Sequence, residues 1–346
     1  MNDEKPLVSV TITTYNSENT INDVLNALLN QEYPLKRIEV IVIDGHSVDN
    51  TVDKVRIFME KHRDKFYDFQ LIIHDKNYGV SKARNDAIKL AKGRFIVILD
   101  SDVVLPPNAI SKMVSFLEAN PEVGCCRPLL EPDFMDILQR SLYDVNVGRI
   151  RRLMSCADAA MIRREIVEKA GLYDESMGPP FSVDEDLEFA ARIWRAGYRC
   201  VLLGNVVAKH LTVKRDVHLA KIKKSVRGPK PTLATYIKML INYFREKHAR
   251  SWYKFLTSLP LKLRVKFIIS SFFLPCLMLL LLGSLMQLPH IYATALIVLV
   301  ASYLVTLIDF ISSPRNLHKS MILAFASCMN RSMRMLAVLI YFVLKK

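Results

Sequence analysis

Residues 93–102, GRFIVILDSD, constrain this chain more than any other stretch. The apolar run from Phe95 to Leu99 reads as a strand buried on both faces, as expected of a central strand covered by helices. It stops at Asp100-Ser101-Asp102. Two carboxylates two residues apart, at the C-terminal tip of such a strand, sit where open α/β sheets bind ligands. They repel each other unless a positive charge lies between them. A divalent cation carrying a diphosphate meets that need, because hard cations take carboxylate and phosphate oxygens. The plainer alternative is a polar strand end entering the turn that Pro106-Pro107 marks.

The residues around this run repeat its pattern. Residues 7–13 (LVSVTIT) and 37–43 (RIEVIVI) read as strands, and 69–74 as a third. Helices are expected over 20–31, 51–62 and 79–92, the last with Val80, Ala83, Ala87, Ile88 and Ala91 on one side and Gly93 ending it. Such alternation implies right-handed βαβ units and a parallel sheet, with the strand tips on one edge. Thr13, Asp44, Arg84 and Asp100 then converge. Residues 108–210 are less regular. Helices are expected over 108–120, 163–170 and 183–196, and strands over 155–162, 198–203 and 206–210.

The net charge of +14 is unevenly spread. Residues 201–266 hold 16 Lys/Arg against 2 Asp/Glu, which leaves the rest of the chain neutral. A basic belt on a neutral body implies a polyanionic partner, nucleic acid or an anionic membrane face. Within it Leu233, Tyr236, Ile237, Leu240, Ile241 and Phe244 share one helical face, as in a membrane-interface helix. Residues 267–288 carry no charge, and residues 291–308 extend the apolar stretch. Two runs long enough to span hydrocarbon, abutting the belt, favour anionic lipid over nucleic acid. Lys262, Arg264 and Lys266 before the runs, with Arg315 and Lys319 after them, place the N-terminal domain in the cytoplasm. Residues 313–346 are apolar but carry Arg331 and Arg334 centrally, so an interfacial or third membrane helix is expected. The expected layout is an α/β domain over 1–210, a basic interfacial region over 211–266, a helical hairpin over 267–312 and the tail. The six cysteines form no C-x-x-C pair and read as reduced thiols, and the N-terminus has no secretory signal pattern.

Five ordered segments resemble the motifs of family 2 glycosyltransferases of the GT-A fold: VSVTITTYN, EVIVIDGHSVDNT, NYGVSKARN, the D-S-D, and DEDLEFAARIWRAGYR. The resemblance covers roughly residues 7–210. It implies a Rossmann-like, mostly parallel sheet, a nucleoside diphosphate sugar donor, a divalent metal (Mg²⁺ or Mn²⁺) and transfer with inversion. It also implies roles: Thr13 and Asp44 at the nucleoside, Asp44 accepting from a pyrimidine N–H; Arg84 at the base or diphosphate; and Asp100 near the ribose and metal-bound water. Asp102 is the expected metal ligand, with His210 completing the shell. Asp186, in the acidic pair with Glu185, is the expected catalytic base. The pattern departs at Gly45-His46-Ser47, where many members carry a second Asp and then Gly.

The expected activity is inverting sugar transfer to a hydroxyl of a lipid-linked saccharide at the cytoplasmic membrane face. One alternative is a polyprenyl-phosphate sugar synthase, whose acceptor is already ionised and needs no base. Another is a processive polysaccharide synthase, against which the absence of a Q-x-x-R-W motif in residues 209–260 counts. A non-catalytic scaffold leaves Asp100, Asp102 and Asp186 without a purpose.

Overall fold

The computed structural model describes residues 5–132, 146–153, 155–177, 185–211 and 289–310, with isolated positions at 143 and between 261 and 276. The chain falls into two compact units, Met1–Phe134 with Asn146–Lys230, and Met135–Val145 with Pro231–Lys346.

In the first unit the parallel half of the sheet follows expectation. Strand β1 (Val8–Thr14) lies between β2 (Ile38–Asp44) and β4 (Phe95–Asp100), and β3 (Asp68–Ile73) flanks β2. All these pairs are parallel. Helices α1 (Ile21–Leu29), α2 (Thr51–His62) and α3 (Val80–Leu90) make the crossovers. The period of two explains why β4 reads as an unbroken apolar run. Phe95, Val97 and Leu99 enter the core on one face of the sheet, and Ile96 and Ile98 the core on the other.

Beyond β4 the sheet is mixed, which refines the mostly parallel sheet expected. Strand β8 (Ala159–Arg163) runs antiparallel to β4 and to β6 (Val123–Pro132). Strand β9 (Arg199–His210) lies parallel to β6, and β5 (Val103–Val104) and β7 (Ile150–Arg152) pair antiparallel with it. Helix α4 (Ala109–Ala119) follows β5; α5 (Arg164–Ala170) and α6 (Glu185–Arg195) pack with α3 over the second core.

Three local differences have physical causes. Strand β6 carries Pro128 and Pro132, residues that argue against a central strand, and its ladder with β9 shifts register just after Pro128. The two expected strands at 198–203 and 206–210 are one continuous β9. Gly204 within it approaches the backbone of Asn146 so closely that a Cβ would fall 1.9 Å from that carbonyl. Strand β8 starts at 159 rather than 155 because Asp158 takes a left-handed backbone, φ 63°. The five described cysteines are free.

The second unit contains helix α7 (Pro289–Phe310), the second arm of the expected hairpin. Ser302 is fully buried, and its hydroxyl donates to the carbonyls of Val298 (2.7 Å) and Ile269 (2.9 Å). Among the described residues no helix is long and apolar enough to cross a membrane, so the expected transmembrane hairpin gains no support here. The basic region, most of the first arm and the tail lie outside the described residues.

Candidate active site

Register brings the strand tips together. Thr13 lies opposite Asp100 across the β1–β4 ladder, and Thr14 opposite Asp44 across β1–β2. A cavity of about 360 Å³ opens beyond these tips, its lining including Thr13, Tyr15, Gly45, Asn77, Asp100 and Asp102. Asp44 is 1% exposed and shapes this edge from beneath. Its Oδ1 accepts from the hydroxyls of Thr14 (2.7 Å) and Ser47 (2.6 Å), and its Oδ2 from the Ser47 N–H (2.8 Å). That closes the turn carrying Gly45 and His46; His46 itself sits at φ 69°. A Cβ at Gly45 would lie 3.3 Å from the Thr14 carbonyl, a tight contact at the residue where the motif departs.

His210 reaches the D-S-D through strand pairing. The β5–β9 ladder sets Val103 opposite His210, and the Leu211 N–H donates to the Asp102 carbonyl at 2.8 Å. His210 Nε2 then stands 3.4 Å from Asp102 Oδ2. Its interaction with Asp102 holds the imidazole pKa above its ordinary value against the opposing effect of burial. No cluster of three or more metal-ligating side chains occurs among the described residues. One carboxylate and one imidazole nonetheless suit a hard or borderline divalent ion whose other positions go to phosphate and water.

Arg84 occupies the space behind Asp100. Its side chain is 4% exposed; Nη2 donates to Asp100 Oδ1 and Nη1 to Glu185 Oε1, both at 2.9 Å. Burial works against the guanidinium charge, and Asp100, Tyr173 and Glu185 more than restore it. Burial raises the Asp100 pKa, Arg84 opposes this, and Asp158 adds to it, with a net upward shift. Glu185 is also raised, first by burial, with Arg84 opposing and Asp186 adding.

The acids at the start of α6 separate by partner. Glu185 is held by Arg84, and Glu188 by Arg192 through two hydrogen bonds of 2.8 Å. Asp186 has no cationic partner among the described residues; its Oδ2 accepts from the Ser155 hydroxyl at 2.5 Å. Trp194 is structural, its Nε1 donating to the Leu153 carbonyl at 3.1 Å.

Sequence reasoning missed two neighbours. The Asp158 carbonyl accepts the Asp100 N–H at 2.7 Å, and its carboxylate pairs with Arg127. Ser155 orients Asp186. The available signal was two polar residues, Ser155 and Asp158, within the four residues before the apolar run of β8. A larger hollow of about 820 Å³ lies at the opposite end of β1 and β4, lined in part by Arg94, Arg163 and Arg164. Arg163 and Arg164 donate to backbone carbonyls and Arg94 pairs with Glu118, so this hollow is scaffolding.

The mixed sheet, with its D-S-D at the tip of the strand next to β1 and a cavity beyond it, defines a transferase fold of the GT-A class. The sequence matches the model described as "Glycosyl transferase family 2" over residues 9–171 and that described as "Glycosyl transferase family group 2" over residues 95–309. The chain belongs to the family 2 glycosyltransferases and is a glycosyltransferase. It is 28% identical over 182 residues to a poly-beta-1,6-N-acetyl-D-glucosamine synthase of Staphylococcus epidermidis, a match covering 49% of this chain and 42% of that protein. It is 39% identical over 114 residues to the Escherichia coli UDP-Glc:alpha-D-GlcNAc-diphosphoundecaprenol beta-1,3-glucosyltransferase WfaP, covering 32% and 41%. These matches span less than half of either relative. The crystal structure of Staphylococcus aureus TarS 1-349 in complex with UDP-GlcNAc superposes with a TM-score of 0.53 at 17% identity, over 94% of this chain and 89% of that one, a likeness of fold.

Proposed function

We propose that this glycosyltransferase moves a sugar from a nucleoside diphosphate sugar to a hydroxyl of a lipid-linked saccharide, with inversion, at the cytoplasmic face of the membrane. The observation that carries the chemistry is the Asp102–His210 acid–imidazole pair at the edge of the cavity that Asp100 and Asp102 line, together with Asp186, an acid without a cationic partner among the described residues, on the helix start whose Glu185 is joined through Arg84 to Asp100. Thr13 and the turn closed by Asp44 form the nucleoside end, with Asp100 beside the ribose. Asp102 and His210 would hold a divalent cation, which supplies charge neutralisation at the diphosphate.

In the transfer step the acceptor hydroxyl oxygen bonds to the anomeric carbon. The carbon–oxygen bond to the diphosphate breaks on the opposite face, and its electron pair leaves with the nucleoside diphosphate. The hydroxyl proton passes to the Asp186 carboxylate, which Ser155 holds in place. A neutral hydroxyl is a poor nucleophile, which is why a positioned base matters.

The lipid-linked acceptor draws support from the relative whose printed name includes a diphosphoundecaprenol acceptor, and from the apolar runs beside the basic belt. A second reading, processive polymer synthesis, draws support from the poly-N-acetylglucosamine synthase relative. The test is a donor panel with Mn²⁺ or Mg²⁺, read by nucleoside diphosphate release and product length. One sugar per acceptor supports the first reading, a ladder of products the second, and no release with any donor defeats both.

A further inference from the structure

We infer that Arg84 and Glu185 are positioning residues: together they form a buried strut that ties the donor end of the cavity, at Asp100, to the helix start carrying Asp186. This rests on the reading of Asp186 as the base. Arg84 belongs to α3, Asp100 to the tip of β4, and Glu185 opens α6, so one guanidinium joins three elements. Nη1 and Nη2 each make a 2.9 Å bond, and a planar fork fixes the separation and orientation of both carboxylates. A second route closes a ring. The guanidinium lies 5.4 Å from the Tyr173 ring centroid, and the Tyr173 hydroxyl donates to the Cys156 carbonyl. The Cys156 N–H donates to the Asp186 carbonyl at 3.3 Å, and the neighbouring Ser155 hydroxyl to its carboxylate.

The strut also separates two adjacent acids. Glu185 is buried and its Oε1 is bound by the Arg84 guanidinium, which lowers its basicity; Asp186 is left for chemistry. Arg84 does not line the cavity, whereas its neighbour Ala83 does. Both terminal nitrogens are engaged by carboxylates, and Nε is buried without a partner among the described residues. Arg84 therefore acts on the reaction through Asp100 and Glu185.

The test uses the full-length chain with membranes of its source organism as the acceptor supply. Mn²⁺ is added with UDP-glucose, UDP-N-acetylglucosamine or GDP-mannose, and kcat and donor KM are measured for the best donor. Misplacement by about 1 Å costs up to about 10²-fold in rate. Arg84→Met should therefore lower kcat by about 10²-fold and raise donor KM as well, because it also releases Asp100, whereas Glu185→Gln should lower kcat by about 10-fold with donor KM little changed. Arg84→Lys should fall with Arg84→Met, because a single ammonium cannot hold both carboxylates in a fork. Combining Glu185→Gln with Arg84→Met should cost nothing further, since both break one strut.

A loss confined to donor KM would make Arg84 a direct donor ligand and overturn the proposal, as would independent, multiplying effects or wild-type kcat in Glu185→Gln. Should Arg84→Met not fold, Arg84→Lys and Glu185→Gln decide by the same criteria. Asp186→Asn separates the two claims. If its turnover is near normal, the base assignment fails. If it is impaired while Glu185→Gln is normal, only the strut fails.

Discussion

Asp186 differs from its neighbours in partner and in burial: among the described residues Glu185 and Glu188 are buried and each hold an arginine, whereas Asp186 is half-buried and holds a hydroxyl. Asp186→Asn keeps the side chain's size and removes its basicity. We expect transfer to fall by about 10²–10⁴-fold, the usual worth of a positioned base, with donor affinity little changed. Single-turnover transfer and donor binding check this. An acceptor that is already an anion would leave turnover near normal.

His210 supports a pH prediction of definite sign. Its folded-state pKa is raised, so its interaction with Asp102 contributes stability fully below the ordinary histidine value of 6.5 and loses it as pH rises through the raised value. A metal ligand must be the neutral imidazole, so Mn²⁺ binding competes with that proton. We expect Mn²⁺ affinity to climb with pH from 6 to 8, by up to about tenfold per unit below the folded pKa, and His210→Ala to flatten the climb. Titration calorimetry at three pH values decides, and an affinity independent of pH would remove His210 from the metal shell.

At the level of elements, β4 holds the site because both of its faces are buried. Ile98 is 1% exposed in the core formed with α3 and α6. Ile98→Ala should destabilise the fold by about 2–5 kcal/mol, lowering the thermal midpoint without changing which donor is used. The strands that alternate with helices were legible because the chain there obeys one period at a time. Strand β6 was hidden by its prolines, and β5 and β7 by their brevity. The register was not legible from local sequence, yet register sets His210 against Asp102 and Thr13 against Asp100. The D-S-D was found because acids closing an apolar run are conspicuous, and the acidic pair because it opens a segment that resembles a family motif. Asp158 and Ser155 were missed because their roles depend on a left-handed backbone turn and on a helix distant in sequence.

For the whole molecule, charge and apolar patterning bear on where it works. The site lies entirely within the first unit. The membrane placement rests on sequence: 16 basic residues against 2 acidic in residues 201–266, then apolar residues 267–288 and 291–308 interrupted only by Pro289-His290. A belt alone is an electrostatic contact, and about 1 M salt, with a Debye length near 3 Å, should strip such a protein from lipid. A hairpin holds by hydrophobic burial, which salt does not weaken. We therefore expect the full-length protein to sediment with membranes, to stay there through a high-salt wash and to leave only with detergent. The basic residues flanking the apolar runs predict that protease applied to intact cells spares the catalytic unit, and that permeabilisation exposes it. Release by salt alone would reduce the anchor to the belt. Recovery in the soluble fraction without detergent would refute the membrane placement, and with it the lipid-linked acceptor as the preferred substrate.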